Sequence, residues 1–142
     1  MPVRKANAHW QGGLKDGKGN VKLGSGAFEG PYSFGTRFEE AQGTNPEELI
    51  AAAEAGCFAM ALSKGVGDEG FEIKSIDADA KVSLEAQGGG FAITKIELIV
   101  EAEIPGISND KFQELAKATK ENCPVSKALQ AVEMTLDAKL KQ

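Results

Sequence analysis

Long apolar runs, paired cysteine motifs and an excess of basic residues are all missing from this 142-residue chain. The longest apolar stretch, around residues 50–62, is interrupted by Glu54 and falls short of the roughly 20 residues that span a bilayer, so no segment is expected to cross a membrane. The N-terminal MPVRKANAHW carries basic residues with no apolar core behind them. It does not read as a secretory signal, and the expected location is the cytoplasm. Sixteen Lys and Arg against 21 Asp and Glu give a net charge of -5. That balance opposes binding to phosphate backbones and acidic lipid surfaces, so neither nucleic acid nor a membrane is an expected partner. One His and two Cys without a CxxC spacing do not furnish a closed zinc site, and no metal is expected. The glycines of GGLKDGKGN and QGGG lack the Walker spacing and read as hairpin turns rather than phosphate loops.

What is present suits one modest domain over residues 1–142, with 42% hydrophobic, 26% charged and 6% aromatic residues and no internal repeat or linker. Short strand-like pieces near residues 6–10, 21–23, 28 and 32–34 are broken by GG, DGKGN, GSG and EGP, which predicts a small antiparallel meander. At TNPEELIAAAEAGCFAMALSKGVGDEG the period changes. Thr44 or Asn45 serves as N-cap, Pro46 sits in the first turn, and Glu47 and Glu48 lie where the helix dipole favours carboxylates. Most of this helix's circumference is apolar, which predicts a buried central helix ending at Gly65 and Gly67. From Lys74 the period falls to two, with Ile76, Ala78, Ala80, Val82 and Leu84 on one face. The QGGG turn then leads into an antiparallel partner over residues 91–104. Asn109 or Asp110 caps a second helix to about Glu121, Pro124 opens a short third helix, and residues 132–140 close the chain as a strand. The order of elements is α+β.

In a reducing compartment a structural disulfide is unusual, which leaves Cys57 and Cys123 as the most distinctive side chains. Cys57, set in an Ala-rich helix, reads first as a small buried hydrophobe. Cys123 precedes Pro124 at a helix start, where exposed N–H groups favour a thiolate, unless Asn122 is the cap and Cys123 a filler. His9 has no acid partner in view and reads as structural, while Lys111, Lys117 and Lys120 form a solvated helix face.

The segments TRFEEAQGTNPEELIAAAEAGCFAMAL, GFAITKIEL and ENCPVSKAL, with the AHWQGGLKDGKGNV opening, resemble the family of osmotically inducible protein C (OsmC) and organic hydroperoxide resistance protein (Ohr). The resemblance is closer to the OsmC branch, because the Arg stands in TRFE shortly before the helix. It implies an intertwined α+β homodimer with antiparallel sheets around central buried helices and two active sites at the subunit interface. It also implies a thiol peroxidase without metal or flavin cofactor. The substrates would be organic hydroperoxides and, less well, hydrogen peroxide, and the reductant a dithiol of the lipoyl type. By position, Cys57 is then the peroxidatic thiol, Cys123 the resolving thiol, and Arg37 with Glu47 the polar pair of the pocket.

Chemistry explains why such residues would be needed. A Cys57 thiolate attacks one peroxide oxygen and becomes a sulfenic acid, which condenses with Cys123 to a disulfide. An apolar helix disfavours the thiolate, so a fixed cation is required; Arg37 supplies it, and Glu47 would hold the guanidinium by a bidentate contact. Apart from the resemblance, Glu47 is simply a first-turn carboxylate. Ten residues of helix separate Glu47 from Cys57 by about 15 Å and roughly 80° of rotation. Either Arg37 spans that gap or the pair serves Cys57 of a partner subunit, the arrangement favoured by so apolar a helix. A different class of function is a non-catalytic stress protein that binds a lipid or other small molecule in an apolar pocket, with incidental thiols.

Overall fold

A computed structural model describes residues 1–141. Packing divides the chain into two compact units, one up to Leu49 and one from Ile50 onward.

The first unit opens with the expected antiparallel meander: β1 (Ala6–Gln11), β2 (Lys18–Leu23) and β3 (Glu29–Tyr32) in that spatial order. Trp10, Gly19 and Tyr32 stand in register across the three strands, and the two rings approach to 5.4 Å between centroids. A side chain at Gly19 would collide with both rings, which is why the middle position has none. Tyr32 ends β3, and Phe34, assigned to a strand by pattern, instead begins the one-turn helix α1 (Phe34–Phe38). Its start is a capping box: Ser33 N–H donates to Thr36 Oγ1 (2.8 Å) and Thr36 N–H to Ser33 Oγ (3.3 Å). The buried residues of the unit are Gly30, Thr36, Thr44 and Glu47, so no sizeable apolar side chain is buried within it.

Helix α2 (Pro46–Asp68) starts where expected. Asn45 is the cap, its Oδ1 accepting from Glu48 N–H at 2.7 Å. Gly65 and Gly67 do not end it. Val66, between them, is fully buried, so core packing carries the helix past two poor helix formers. The reversal falls to Gly70 at φ 89°, and Phe71 N–H returns to Val66 O at 3.3 Å.

The second unit holds a three-stranded sheet in the order β4 (Ser75–Gln87), β5 (Gly90–Glu103), β6 (Glu133–Leu140). The β4–β5 hairpin has the antiparallel pairing expected of two alternating strands joined by the short QGGG turn, with a bulge between Ser83 and Leu84. β6, however, runs parallel to β5, so this sheet is mixed and not antiparallel throughout. The reason lies in the connection: α3 (Asn109–Asn122) and α4 (Pro124–Ala128) form the crossover that a parallel pairing requires. Ser108, not Asn109 or Asp110, caps α3, accepting from Lys111 N–H at 3.1 Å.

One core joins Phe58, Leu62 and Val66 of α2 to Leu98, Val100 and Ala102 of β5 and Phe112 and Ala116 of α3. Within the single chain α2 is therefore not buried all round. The residues buried along it are Glu47, Glu54, Phe58, Leu62 and Val66, a stripe at the spacing of one helix face. By length and composition alone α2 could span a bilayer, with a mean hydropathy of 1.4 in its most apolar window. Its Phe58, Leu62 and Val66 instead fill a protein core.

Candidate functional site: two thiols and two carboxyl groups

In the first unit, α1 presents Arg37 in its last turn and α2 presents Glu47 in its first. Asn45 ties the two together: its Nδ2 donates to Thr36 O (2.9 Å) at the end of α1 while its Oδ1 caps α2. Held this way, Arg37 Nε donates to Glu47 Oε1 and Nη2 to Oε2, both at 3.0 Å. This is the bidentate pair expected from the sequence. Glu47 is nearly buried while 38% of the Arg37 side chain stays exposed, so the carboxylate anchors a guanidinium with donors to spare.

The second unit brings the two cysteines together. Cys57 lies on α2, and Cys123 is at once the C-cap of α3 and the N-cap of α4. Cys123 is fixed from both sides, its N–H donating to Thr119 O (2.8 Å) and its carbonyl accepting from Lys127 N–H (2.9 Å). Both thiols are free, and Cys123 Sγ donates to Cys57 Sγ at 2.8 Å. Cys123 is buried and Cys57 only partly so, which makes Cys57 the more accessible of the two thiols.

Burial pushes the Cys57 thiol above its ordinary value, and the hydrogen bond with Cys123 and the nearby charge of Glu54 push it the same way. Only the backbone N–H of Val125 opposes them. Within its own unit the Cys57 thiol is thus held toward its protonated form.

Two residues of this cluster escaped the sequence reading. Glu54, noted there only as an interruption of an apolar stretch, has no exposed surface, and Ser126 Oγ donates to its Oε1 at 2.5 Å. Its other oxygen, Oε2, has no hydrogen-bond partner among the described residues. The signal that could have found Glu54 is its place three residues before Cys57, as the one charged residue of the apolar run over 50–62. Ser126 had only its matching place three residues after Cys123. Among the described residues no three His, Cys, Asp or Glu side chains converge as a metal would need.

Two free thiols in contact, one buried and one partly exposed, are the arrangement that dithiol redox chemistry uses. The family model for OsmC-like protein matches residues 39–137. The chain is 52% identical to peroxiredoxin OsmC of Escherichia coli (strain K12) over 139 residues, covering 97% of this chain and 96% of the relative. It is 37% identical over 99 residues to organic hydroperoxide resistance protein OhrB of Bacillus subtilis (strain 168), covering 68% and 71%. A crystal structure of an organic hydroperoxide resistance protein OsmC from Legionella pneumophila superposes with a TM-score of 0.75 at 25% identity, covering 98% of this chain and 99% of that one. The chain belongs to the OsmC-like family.

Proposed function

We propose that this chain is a two-cysteine peroxidase that reduces organic hydroperoxides to alcohols in the cytoplasm, with hydrogen peroxide the poorer substrate. Membership of a family that includes a peroxiredoxin and organic hydroperoxide resistance proteins gives the peroxidase class. The observation that carries the mechanism is the 2.8 Å approach of Cys57 and Cys123. The Cys57 thiolate attacks the terminal peroxide oxygen, the O–O bond breaks, and an alkoxide leaves and takes up a proton; Cys57 is left as a sulfenic acid. Cys123 attacks that sulfur, a disulfide forms, and the hydroxyl departs with the Cys123 proton as water. A dithiol of the lipoyl type reduces the disulfide and restores both thiols. Arg37, anchored by Glu47, is the cation that offsets the upward push on Cys57 and donates to the peroxide oxygens.

The working unit in this reading is a homodimer, and the whole chain acts as one functional domain. Two features support it. The first unit buries no sizeable apolar side chain, although Trp10, Val21, Leu23, Phe28 and Tyr32 are all available. On α2, Met60 is 78% exposed beside an apolar groove of about 330 Å³ lined by Ala59, Met60, Ser63, Ile73 and Ile76. A second copy covers both in the proposed dimer.

The test is turnover of cumene hydroperoxide against hydrogen peroxide, with dihydrolipoamide or glutathione as reductant. Expected are faster turnover of the organic peroxide, preference for the dithiol, and a Cys57–Cys123 crosslinked peptide after one equivalent of oxidant. Binding of a lipid without thiol loss would instead make the chain a non-catalytic carrier with incidental thiols.

A further inference from the structure

Glu54 is the buried ionisable group that the two-thiol mechanism leaves without a task. Placing a carboxyl in an apolar core costs free energy, and here only one of its oxygens is satisfied. Stability does not explain it, because an apolar pair of similar volume at positions 54 and 126 would be as stable or more so.

Its surroundings suggest a different use. Glu54 and Cys57 are three residues apart on α2, neighbours on one helix surface. Cys123 and Ser126 have the same spacing at the start of α4. The two contacts, Cys57 with Cys123 and Glu54 with Ser126, therefore join the same two elements side by side. Ser126 is 4% exposed and Glu54 fully buried, so no water competes freely for this bond. α4 is short, and Cys123 at its head is held by its backbone alone, with no side-chain cap. Sliding or turning α4 by one residue would carry the Cys123 sulfur away from Cys57, and the bond to Glu54 opposes that motion.

We propose that Glu54 and Ser126 form a second rung between α2 and α4 that sets the register in which Cys123 closes on Cys57. Both are positioning residues for disulfide closure and touch no substrate. The rung deepens the peroxidase reading, but its effect is defined for any route to the disulfide.

The measurement is the equilibrium of the Cys57–Cys123 pair with a dithiothreitol redox buffer, in which one disulfide forms as another is reduced and no peroxide enters. Ser126→Ala should lower the disulfide equilibrium constant about tenfold, a shift of about 30 mV toward the oxidising side. Because Ser126→Ala leaves Glu54 with no partner and can weaken the fold, Glu54→Leu/Ser126→Ala is measured beside it. That double variant removes the rung together with the buried carboxyl, so urea unfolding should be no easier than in the parent while the tenfold loss persists. Glu54→Gln keeps an acceptor for Ser126 and should stay within about threefold of the parent. With cumene hydroperoxide, the rung-less variants should accumulate Cys57 sulfenic acid that a dimedone probe traps, where the parent shows little. A folded double variant with the parent's equilibrium constant overturns the rung. If the parent pair equilibrates with dithiothreitol and responds to Ser126→Ala yet never forms a disulfide with hydroperoxide, the rung stands and the peroxidase reading falls.

Discussion

The chain up to Leu49 and the chain beyond it are held by different forces. The second unit has a continuous apolar core, with Phe58, Leu62, Val66, Val100, Ala102, Phe112 and Ala116 all fully buried. The first unit has strand ladders, a capping box, the Asn45 bridge and the Arg37–Glu47 pair, and its buried side chains are polar. Hydrogen bonds exchanged with water contribute little net free energy each, whereas burial of a large apolar side chain contributes roughly 1.5–3 kcal/mol. A cored unit thus carries the thiols, and a unit short of apolar burial carries the cation proposed to activate them. In the proposed dimer, a second copy would cover the apolar side chains that the first unit leaves unburied.

That contrast can be broken by experiment. Phe112→Ala in the cored unit should cost about 3–5 kcal/mol in urea unfolding, from lost transfer energy and the cavity left behind. Val21→Ala in the meander should cost less than about 1 kcal/mol at low protein concentration and more as concentration rises and dimers form. Equal costs, independent of concentration, would show that the meander supplies its own core.

Arg37→Met should slow the first oxidation of Cys57 about 100-fold, the scale of losing a fixed charge-stabilising donor. Its rate profile should also move to higher pH, since only the Val125 N–H then acts against burial and Glu54. Stopped-flow oxidation across pH measures both. Mixing Arg37→Met with Cys57→Ser chains sharpens the point: a site shared between subunits regains activity in the heterodimer, and a site within one chain regains none.

The smallest effect is expected from Glu54→Gln. The negative charge at Glu54 raises the Cys57 thiol, so its removal should move the pH profile of Cys57 alkylation to slightly lower pH. A shift upward would mean that the carboxyl favours the thiolate, against its sign.

Much of this was legible from residues alone. The alternation of Ile96, Leu98, Val100 and Ala102 gave the central strand and its buried face, because a period of two has a single structural meaning at that length. Asn45 with Pro46 marked the start of α2 for reasons contained in one turn of chain. α1 went unseen because a one-turn helix has no hydrophobic period, only the Ser33–Thr36 capping box. The direction of β6 was hidden because alternation is the same for parallel and antiparallel strands. Gly65 and Gly67 misled because their local cost was outweighed by Val66 in the core. The site divided in the same way: a family resemblance pointed to Arg37, Glu47, Cys57 and Cys123, while the Glu54–Ser126 bond joins residues 72 positions apart and no local pattern announces it.

The two sulfurs are separated by 66 positions, and the β4–β5 hairpin and the α3 crossover lie between them. Loop closure on that scale is slow compared with the hairpin and helices, which form from near neighbours. During synthesis Cys57 emerges well before its partner and has nothing beside it to react with. The contact between the thiols is therefore a long-range one, which cannot form until the chain through Cys123 has been made.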